Sequence, residues 1–184
     1  MDNGAGSYRR FLNGDESAFT EIVRDYKDGL ILYLMSFVRS VSTAEELAED
    51  TFVRLGVKKP RFSERSSFKT WLYAIGRNLA VDHLRKQAQR KELPLDDCAA
   101  LSDLESLEGA YLREERKIRL HRAMERLKSE YRQVLWLIYF EGFSCREAAR
   151  TMHKSTHNIE TLAHRARQAL KAELGKEGIE FEDL

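Results

Sequence analysis

Only two prolines, Pro60 and Pro94, interrupt the 184 residues of this chain. Proline lacks a backbone donor and its ring clashes with the preceding helical turn, so it ends helices rather than joining them. A chain this poor in proline, with only ten glycines, favours long helices and short loops over many strands. The two prolines fall in stretches of opposite charge. From Lys58 to Lys91 ten basic residues stand against two acidic ones, a balance of +8; from Leu93 to Ala110 five acids stand without a Lys or Arg, a balance of −5. The formal net charge of +1 conceals this partition. Charge runs alone are usually solvated faces, but a basic block of this density also suits phosphates.

The remaining totals bound the class. Hydrophobic residues make up 42% and charged residues 33%, which describes a globular chain with polar surfaces, one medium domain or two small ones. No apolar run is long enough to span a bilayer, and MDNGAGSYRR lacks an apolar signal core, so the expectation is a cytoplasmic protein without membrane insertion. Cys98 and Cys145 are far apart and fit no zinc spacing; they read as ordinary thiols.

Periodicity divides the chain into helical blocks. Gly14-Asp15 precedes a pattern with Phe19, Ile22, Val23 and Tyr26 on one side, and a second apolar segment follows from Leu30 to Val38. Ser42 with Glu45 has the spacing of a capping box for a third helix, which turns Ala44, Leu47, Ala48, Thr51, Phe52 and Leu55 inward. A basic loop around Pro60 leads to Ser66 or Ser67, which opens a long helix ending near Lys91-Glu92. Residues 93–110 read as an acidic flexible linker. A second helical half starts near Tyr111. Ile118, Leu120, Met124 and Leu127 mark one helix, and Ser129 caps the next, which contains VLWLIYF and stops at Gly142. The expected architecture is all-α: residues 1–92 form one small domain, 93–110 a linker, 111–175 a second domain, and 176–184 a tail with no assigned role.

Two segments carry chemistry. The first, FSCREAARTMHKSTHNIETLAHRARQAL, is a short helix, a tight turn at Lys154-Ser155 and a longer helix, which is helix-turn-helix arithmetic. Ser144 with Glu147 is a capping box, and the alanines Ala148 and Ala149 let a second helix cross closely. In the longer helix Ile159, Ala163, Ala166 and Leu170 form one apolar stripe. His157, Thr161, His164 and Gln168 lie opposite it, flanked by Asn158, Glu160 and Arg165, and these groups suit base edges and phosphates. An ordinary helical hairpin would show the same stripe. His153 and His157 straddle the turn without a third ligand, so no metal or other cofactor is expected.

The second segment is FKTWLYAIGRNLAVDHLRK, Phe68 to Lys86, which mixes aromatics, cations, Asn78 and Asp82 in one helix. On a helical wheel Phe68, Trp71, Leu72, Ile75, Leu79 and Asp82 share a face, with Asn78 and Arg85 at its edge; Tyr73, Arg77 and Leu84 point elsewhere. Aromatic rings interleaved with Lys and Arg suit unstacked bases and the backbone between them. Trp71 reads as core, and Asp82 as a carboxylate that needs an Arg or a backbone group beside it.

Taken in order, these motifs resemble bacterial sigma factors of the extracytoplasmic-function (ECF) group. GDESAFTEIVRDY resembles the family's opening helix. AEELAEDTF resembles the region 2.2 segment that docks on the polymerase β′ clamp. FKTWLYAIGRNLAVDHLRK resembles regions 2.3–2.4, which melt and read the −10 element. The helix-turn-helix resembles region 4.2, which reads the −35 element.

The resemblance covers about Asp15 to Leu174 and implies a non-enzymatic subunit that binds core RNA polymerase and directs promoter-specific initiation. Glu46, Glu49, Asp50 and Arg54 would face the clamp. Arg61, Arg65, Ser66, Ser67, Lys69, Arg77, Asn78 and Arg85 would hold the −10 strand. Thr156, His157, Asn158, Glu160, Thr161, His164 and Arg165 would read the −35 duplex, with Arg146, Lys154, Ser155 and Arg167 at phosphates. Leu135, Ile138 and Phe140 would form core and part of a surface for the β flap. Promoter DNA and an anti-sigma factor are the implied further partners, and a flexible linker would permit closed, inhibited and extended, active arrangements.

Glu49, His153, Glu160 and Leu162 depart from residues common in the family, so no −35 sequence transfers. A stand-alone helix-turn-helix regulator is the competing reading, but it leaves the aromatic-basic helix and the clamp-like segment without a purpose.

Overall fold

Asp15 separates the first two helices by capping the second: its carboxylate accepts from the backbone N–H groups of Ser17 and Ala18. The computed structural model describes residues 3–89 and 119–176, and every regular element among them is helical. Helix α1 spans Asn3–Leu12, α2 Glu16–Val38, α3 Val41–Lys58 and α4 Phe68–Gln89. Residues 119–125 are helical. Helix α5, Ser129–Leu135, continues into a π-helical turn, Trp136–Phe140, and α6 (Cys145–Met152) and α7 (Thr156–Lys176) follow. The boundaries expected at residues 92, 93, 110 and 111 lie outside the described residues, as does the 176–184 tail apart from Lys176, which ends α7.

Four findings revise the sequence reading. Helix α1 was not anticipated; its Ala5, Tyr8 and Phe11 are buried. The two apolar segments between residues 16 and 38 form one 23-residue helix. Ser40, not Ser42, caps α3, because Arg39 turns left-handed (φ 53°) and ends α2 immediately before it. Ser129 is the first residue of α5 rather than its cap, and its hydroxyl donates to the Ser36 carbonyl at 3.1 Å.

The N-terminal core lies between α2, α3 and α4, where Ile22, Leu30, Leu34, Leu55 and Leu72 are fully enclosed. Each such side chain contributes about 1.5–3 kcal/mol by leaving water. Gly4 lets α1 approach this core. A Cβ there would come within 2.5 Å of the Phe68 ring and of the Tyr26 hydroxyl. In the C-terminal half the expected stripe is the buried one: Ile159, Ala163, Ala166 and Leu170 pack with Ala148, Ala149 and Met152. The π turn directs Leu137 inward and leaves Tyr139 and Phe140 about half exposed (53% and 48%).

The two halves touch directly. Helix α6 lies against α4, and α5 against α2. Arg132, 6% exposed, donates from Nε and one Nη to the Ser36 carbonyl (3.1 and 3.0 Å) and from the other Nη to the carbonyls of Leu127 (2.7 Å) and Glu125 (3.3 Å).

Candidate nucleic-acid and polymerase interfaces

Ser67 ends the basic loop by capping α4. Its hydroxyl accepts from the Thr70 N–H at 3.2 Å, and its carbonyl accepts from the Trp71 N–H. The loop, residues 59–67, leaves Arg61 and Arg65 exposed, with Ser66, Ser67 and Lys69 half-buried behind them. Asn78 and Arg85 are exposed on α4, whereas Arg77 is half-buried and its Nε is enclosed without a hydrogen bond. Asp82 is exposed and pairs with Arg85 at 3.1 Å, so the carboxylate expected on the buried face lies at the surface.

The wheel places Tyr73 off the core face, toward the outside or another partner, and the partner is what the structure shows. Tyr73 is 1% exposed, covered by Tyr33 and Gly29 of α2 and by Phe143 and Glu141 of the C-terminal half. Glu141 is the centre of the cover. Its carboxylate sits 2.8 Å from Lys69 Nζ and accepts the Tyr73 hydroxyl at 2.8 Å; Lys69 also donates to the Glu141 carbonyl at 2.9 Å. Burial, reinforced by the Glu141 charge, keeps the Tyr73 phenol neutral and donating far above its ordinary pKa. Gly29 makes room for this contact: a Cβ there would lie 2.5 Å from the Tyr73 hydroxyl and 2.9 Å from the Glu141 carboxylate.

Around this centre, Ser67 donates to Glu147 at 3.2 Å, Arg150 donates to the Arg65 carbonyl, and His153 Nε2 lies 3.1 Å from Asn78 Oδ1. The side chains of the −10 candidates Ser67, Lys69 and Asn78 are thus engaged by the C-terminal half, and Arg65 is held only by its backbone carbonyl. Sequence reasoning missed Glu141, Glu147 and Arg150, because nothing local to them announces a partner some 70 to 85 positions away.

Glu147 serves two structures at once. It completes the capping box with Ser144 at the start of α6 and accepts from Ser67 and Thr70 of α4. Burial opposes its ionisation, but the bonds from Ser144, Ser67 and Thr70 outweigh it and hold the carboxyl below its ordinary value of 4.5. A depressed folded pKa means stability that is complete above the unfolded pKa and lost as pH falls through the folded value. The urea midpoint of the wild-type chain should therefore exceed that of Glu147→Gln most above about pH 5, with the gap closing towards about pH 3. A constant gap across that range would show that the carboxylate charge is not what matters.

The face of α7 opposite the stripe is open. His157, Asn158, Glu160, His164, Arg165 and Arg167 are exposed, as is Arg146 on α6, and Thr161 is half-buried. Thr156 begins the helix and is exposed, while the Ser155 hydroxyl caps it by accepting from the Asn158 N–H. Lys154 pairs with Glu130 at 3.0 Å. The turn closes at His153 in the left-handed conformation (φ 53°), a position that favours glycine. On α3, Glu46, Glu49, Asp50 and Arg54 are exposed. Val53 and Val57 beside them are 59% and 77% exposed, an apolar addition to this face that the charge pattern alone did not show. Leu135 is core, Ile138 half-buried and Phe140 exposed. Among the described residues no group of three or more His, Cys, Asp or Glu is placed to hold a metal, and no helix is long and apolar enough to cross a membrane.

A helix-turn-helix with an open polar face, joined to a helical unit that exposes Arg61 and Arg65 on a loop, is the arrangement of a two-part DNA-binding protein. Comparison with known families gives the class its identity. Residues 22–90 match the Sigma-70 region 2 family and residues 117–170 the Sigma-70 region 4 family. The chain is 30% identical to the RNA polymerase sigma-H factor of Pseudomonas aeruginosa over 170 residues, 88% of each chain. It is 29% identical to the ECF sigma factor SigW of Bacillus subtilis, covering 90% of this chain and 94% of that one. Among solved structures, the sigma factor RpoE in complex with the anti-sigma factor NepR from Bartonella quintana superposes with a TM-score of 0.68 at 25% identity, covering 85% of this chain and 96% of that one.

The chain belongs to the ECF group of the sigma-70 family. It is an RNA polymerase sigma factor, a subunit that directs promoter-specific transcription initiation and is not itself an enzyme. The match to region 2 removes the case for a stand-alone helix-turn-helix regulator.

Proposed function

We propose that the N-terminal half reads the −10 element as a single strand and the C-terminal half reads the −35 element as duplex, with the free chain closed over the first surface only. The observation that carries this is an asymmetry. Lys69, Ser67 and Asn78 are held by Glu141, Glu147 and His153, while the reading face of α7 is open to solvent. Strand separation then needs no catalytic residue. Binding a flipped base offsets the few kcal/mol lost in unstacking it, and Arg61, Arg65, Lys69, Arg77 and Asn78 supply that binding.

Glu46, Glu49, Asp50 and Arg54, with Val53 and Val57 between them, meet the β′ clamp; Phe140 and Tyr139 meet the β flap. The site of action is the cytoplasm, where core polymerase works. An anti-sigma factor, as in the RpoE–NepR complex, is the partner that would hold the closed arrangement. The domains divide where the sequence changes charge, at residues 92 and 111.

Core-dependent transcription tests the reading. Purified chain with sigma-free core polymerase and a fragmented genome should give discrete transcript 5′ ends sharing upstream motifs. Replacing Arg77 and Asn78 together with alanine should cut transcript yield by about tenfold or more, since each removed contact to DNA is worth about 1–3 kcal/mol. Full yield from the double variant would remove these two residues from the −10 site.

A further inference from the structure

We infer that helix α1 is a positioning element for the loop that presents Arg61 and Arg65 to the melted strand, acting through the hydroxyl of Tyr8; this rests on the −10 reading above. The helix lies before the residues matched by the Sigma-70 region 2 family, which begin at 22. The helix packs chiefly on α2, and further contacts reach the loop. The Tyr8 hydroxyl donates to the Pro60 carbonyl at 2.7 Å. Burial pushes that phenol up to about 12, so it remains a neutral donor at any physiological pH.

Two further contacts flank this bond. Lys59 Nζ lies 4.7 Å from the centre of the Phe11 ring, and Arg9 pairs with Glu64 at 3.8 Å. The pair is solvent-exposed and weak alone. Glu64, however, sits in the left-handed conformation (φ 55°), which a non-glycine residue keeps only where its surroundings over-determine it.

The geometry separates a fixed inner edge of the loop from a free outer edge. Phe62 turns inward onto Trp71 and Phe68, with ring centres 5.1 and 5.8 Å away, and Tyr8 packs at a tilt against the same two rings at 5.4 and 5.5 Å. The backbone at Pro60 is therefore pinned by one hydrogen bond, and the loop by one aromatic wedge two residues on. Arg61 lies between these anchors and Arg65 beyond them, and both side chains are exposed. A loop held in this way binds a strand without first losing its own conformational freedom.

Tyr8→Phe isolates the claim, because it removes the donor and keeps the ring. The test compares wild-type and Tyr8→Phe chains, full length and saturated with core polymerase, on a promoter recovered by the genomic transcription above. Open-complex lifetime under heparin challenge should fall by about threefold to tenfold, the worth of one hydrogen bond, while core affinity stays at its wild-type value and melting temperature falls by no more than that one bond is worth. Amide exchange in the free chain should quicken across residues 60–67 and stay unchanged in α2 and α3. Wild-type open-complex lifetime in the variant overturns the inference. If the wild-type chain itself fails to initiate, the functional reading has failed instead, and unchanged exchange across 60–67 would then independently overturn the role of Tyr8.

Discussion

Arg132→Met lowers the unfolding free energy by about 2–3 kcal/mol, a large share of the 5–15 typical of a natural domain. Arg132 is buried and makes four hydrogen bonds to three carbonyl oxygens, those of Ser36, Leu127 and Glu125. These carbonyls lie at the end of α2 and in the segment leading into α5, so one side chain ties the two halves together. Methionine keeps the length and the apolar contacts but donates nothing. The Leu127 carbonyl then loses its 2.7 Å donor, whereas Ser36 keeps the Ser129 hydroxyl and Glu125 keeps Arg39. Removing a buried cation also recovers its desolvation cost, which is why the loss stops short of the 3–5 kcal/mol seen when a buried pair is broken. Arg132→Lys should fall between, since a single ammonium cannot serve a planar fork of three acceptors. Urea unfolding at neutral pH measures all three chains. An Arg132→Met midpoint equal to wild type would mean that water replaces the guanidinium at no cost.

How much of this was legible in the sequence depends on the range of the interaction that fixes each element. Helix α7 was legible throughout, because its apolar stripe repeats with the helical period and its polar face is whatever remains. The capping box at Ser144 and Glu147 was legible for the same reason: both partners lie within one turn. Ser42 was misjudged because its spacing to Glu45 fits a cap, while the true start is set by where α2 breaks, at Arg39. Helix α1 hides behind Gly4 and Gly6, which weaken any helical expectation; the signal that could have found it was Ala5, Tyr8 and Phe11 at three-residue spacing ahead of the Asp15 cap. The π turn has no local signature that distinguishes it from continued α-helix.

The site shows the same division. The types and order of the residues proposed for the −10 surface are all that the sequence offers for it: aromatic rings, cations and an amide in one helix suit few other ligands. Their state could not be read there. A helical wheel left Tyr73 facing the outside or another partner because a wheel contains one helix; what covers it includes Tyr33 of α2 and, 68 residues away, Glu141. Lys69 looked free for phosphate and is instead paired within the chain. Sequence carries the list of groups a surface can use; only the packing of one half on the other shows which of them are engaged already.

Glu141→Ala should open the chain and raise its affinity for single-stranded DNA while leaving duplex binding alone. The substitution removes the carboxylate that accepts from both Lys69 and Tyr73, leaving Lys69 only a carbonyl and the Tyr73 hydroxyl without its acceptor. Glu141 is 10% exposed and Lys69 32%, so the pair is partly screened, and its loss should weaken the closed arrangement by about 1–3 kcal/mol rather than by the full value of a buried pair. That corresponds to a shift of about 5-fold to 150-fold in the closed-to-open ratio.

Three of the contacts around it, Ser67 to Glu147, Arg150 to the Arg65 carbonyl and His153 to Asn78, then hold less surface together. Small-angle scattering of the free chain should show a larger radius of gyration in the variant. Binding of a twelve-nucleotide oligothymidylate should tighten, because Lys69 and Asn78 become available to it. Binding of a duplex to α7 should not change, since His157, His164 and Arg165 are exposed already. Equal radii and equal single-strand affinities in the two chains would show that Glu141 does not hold the halves together. Equal tightening for single strand and duplex would mean that the loss of one negative charge, rather than opening, is responsible.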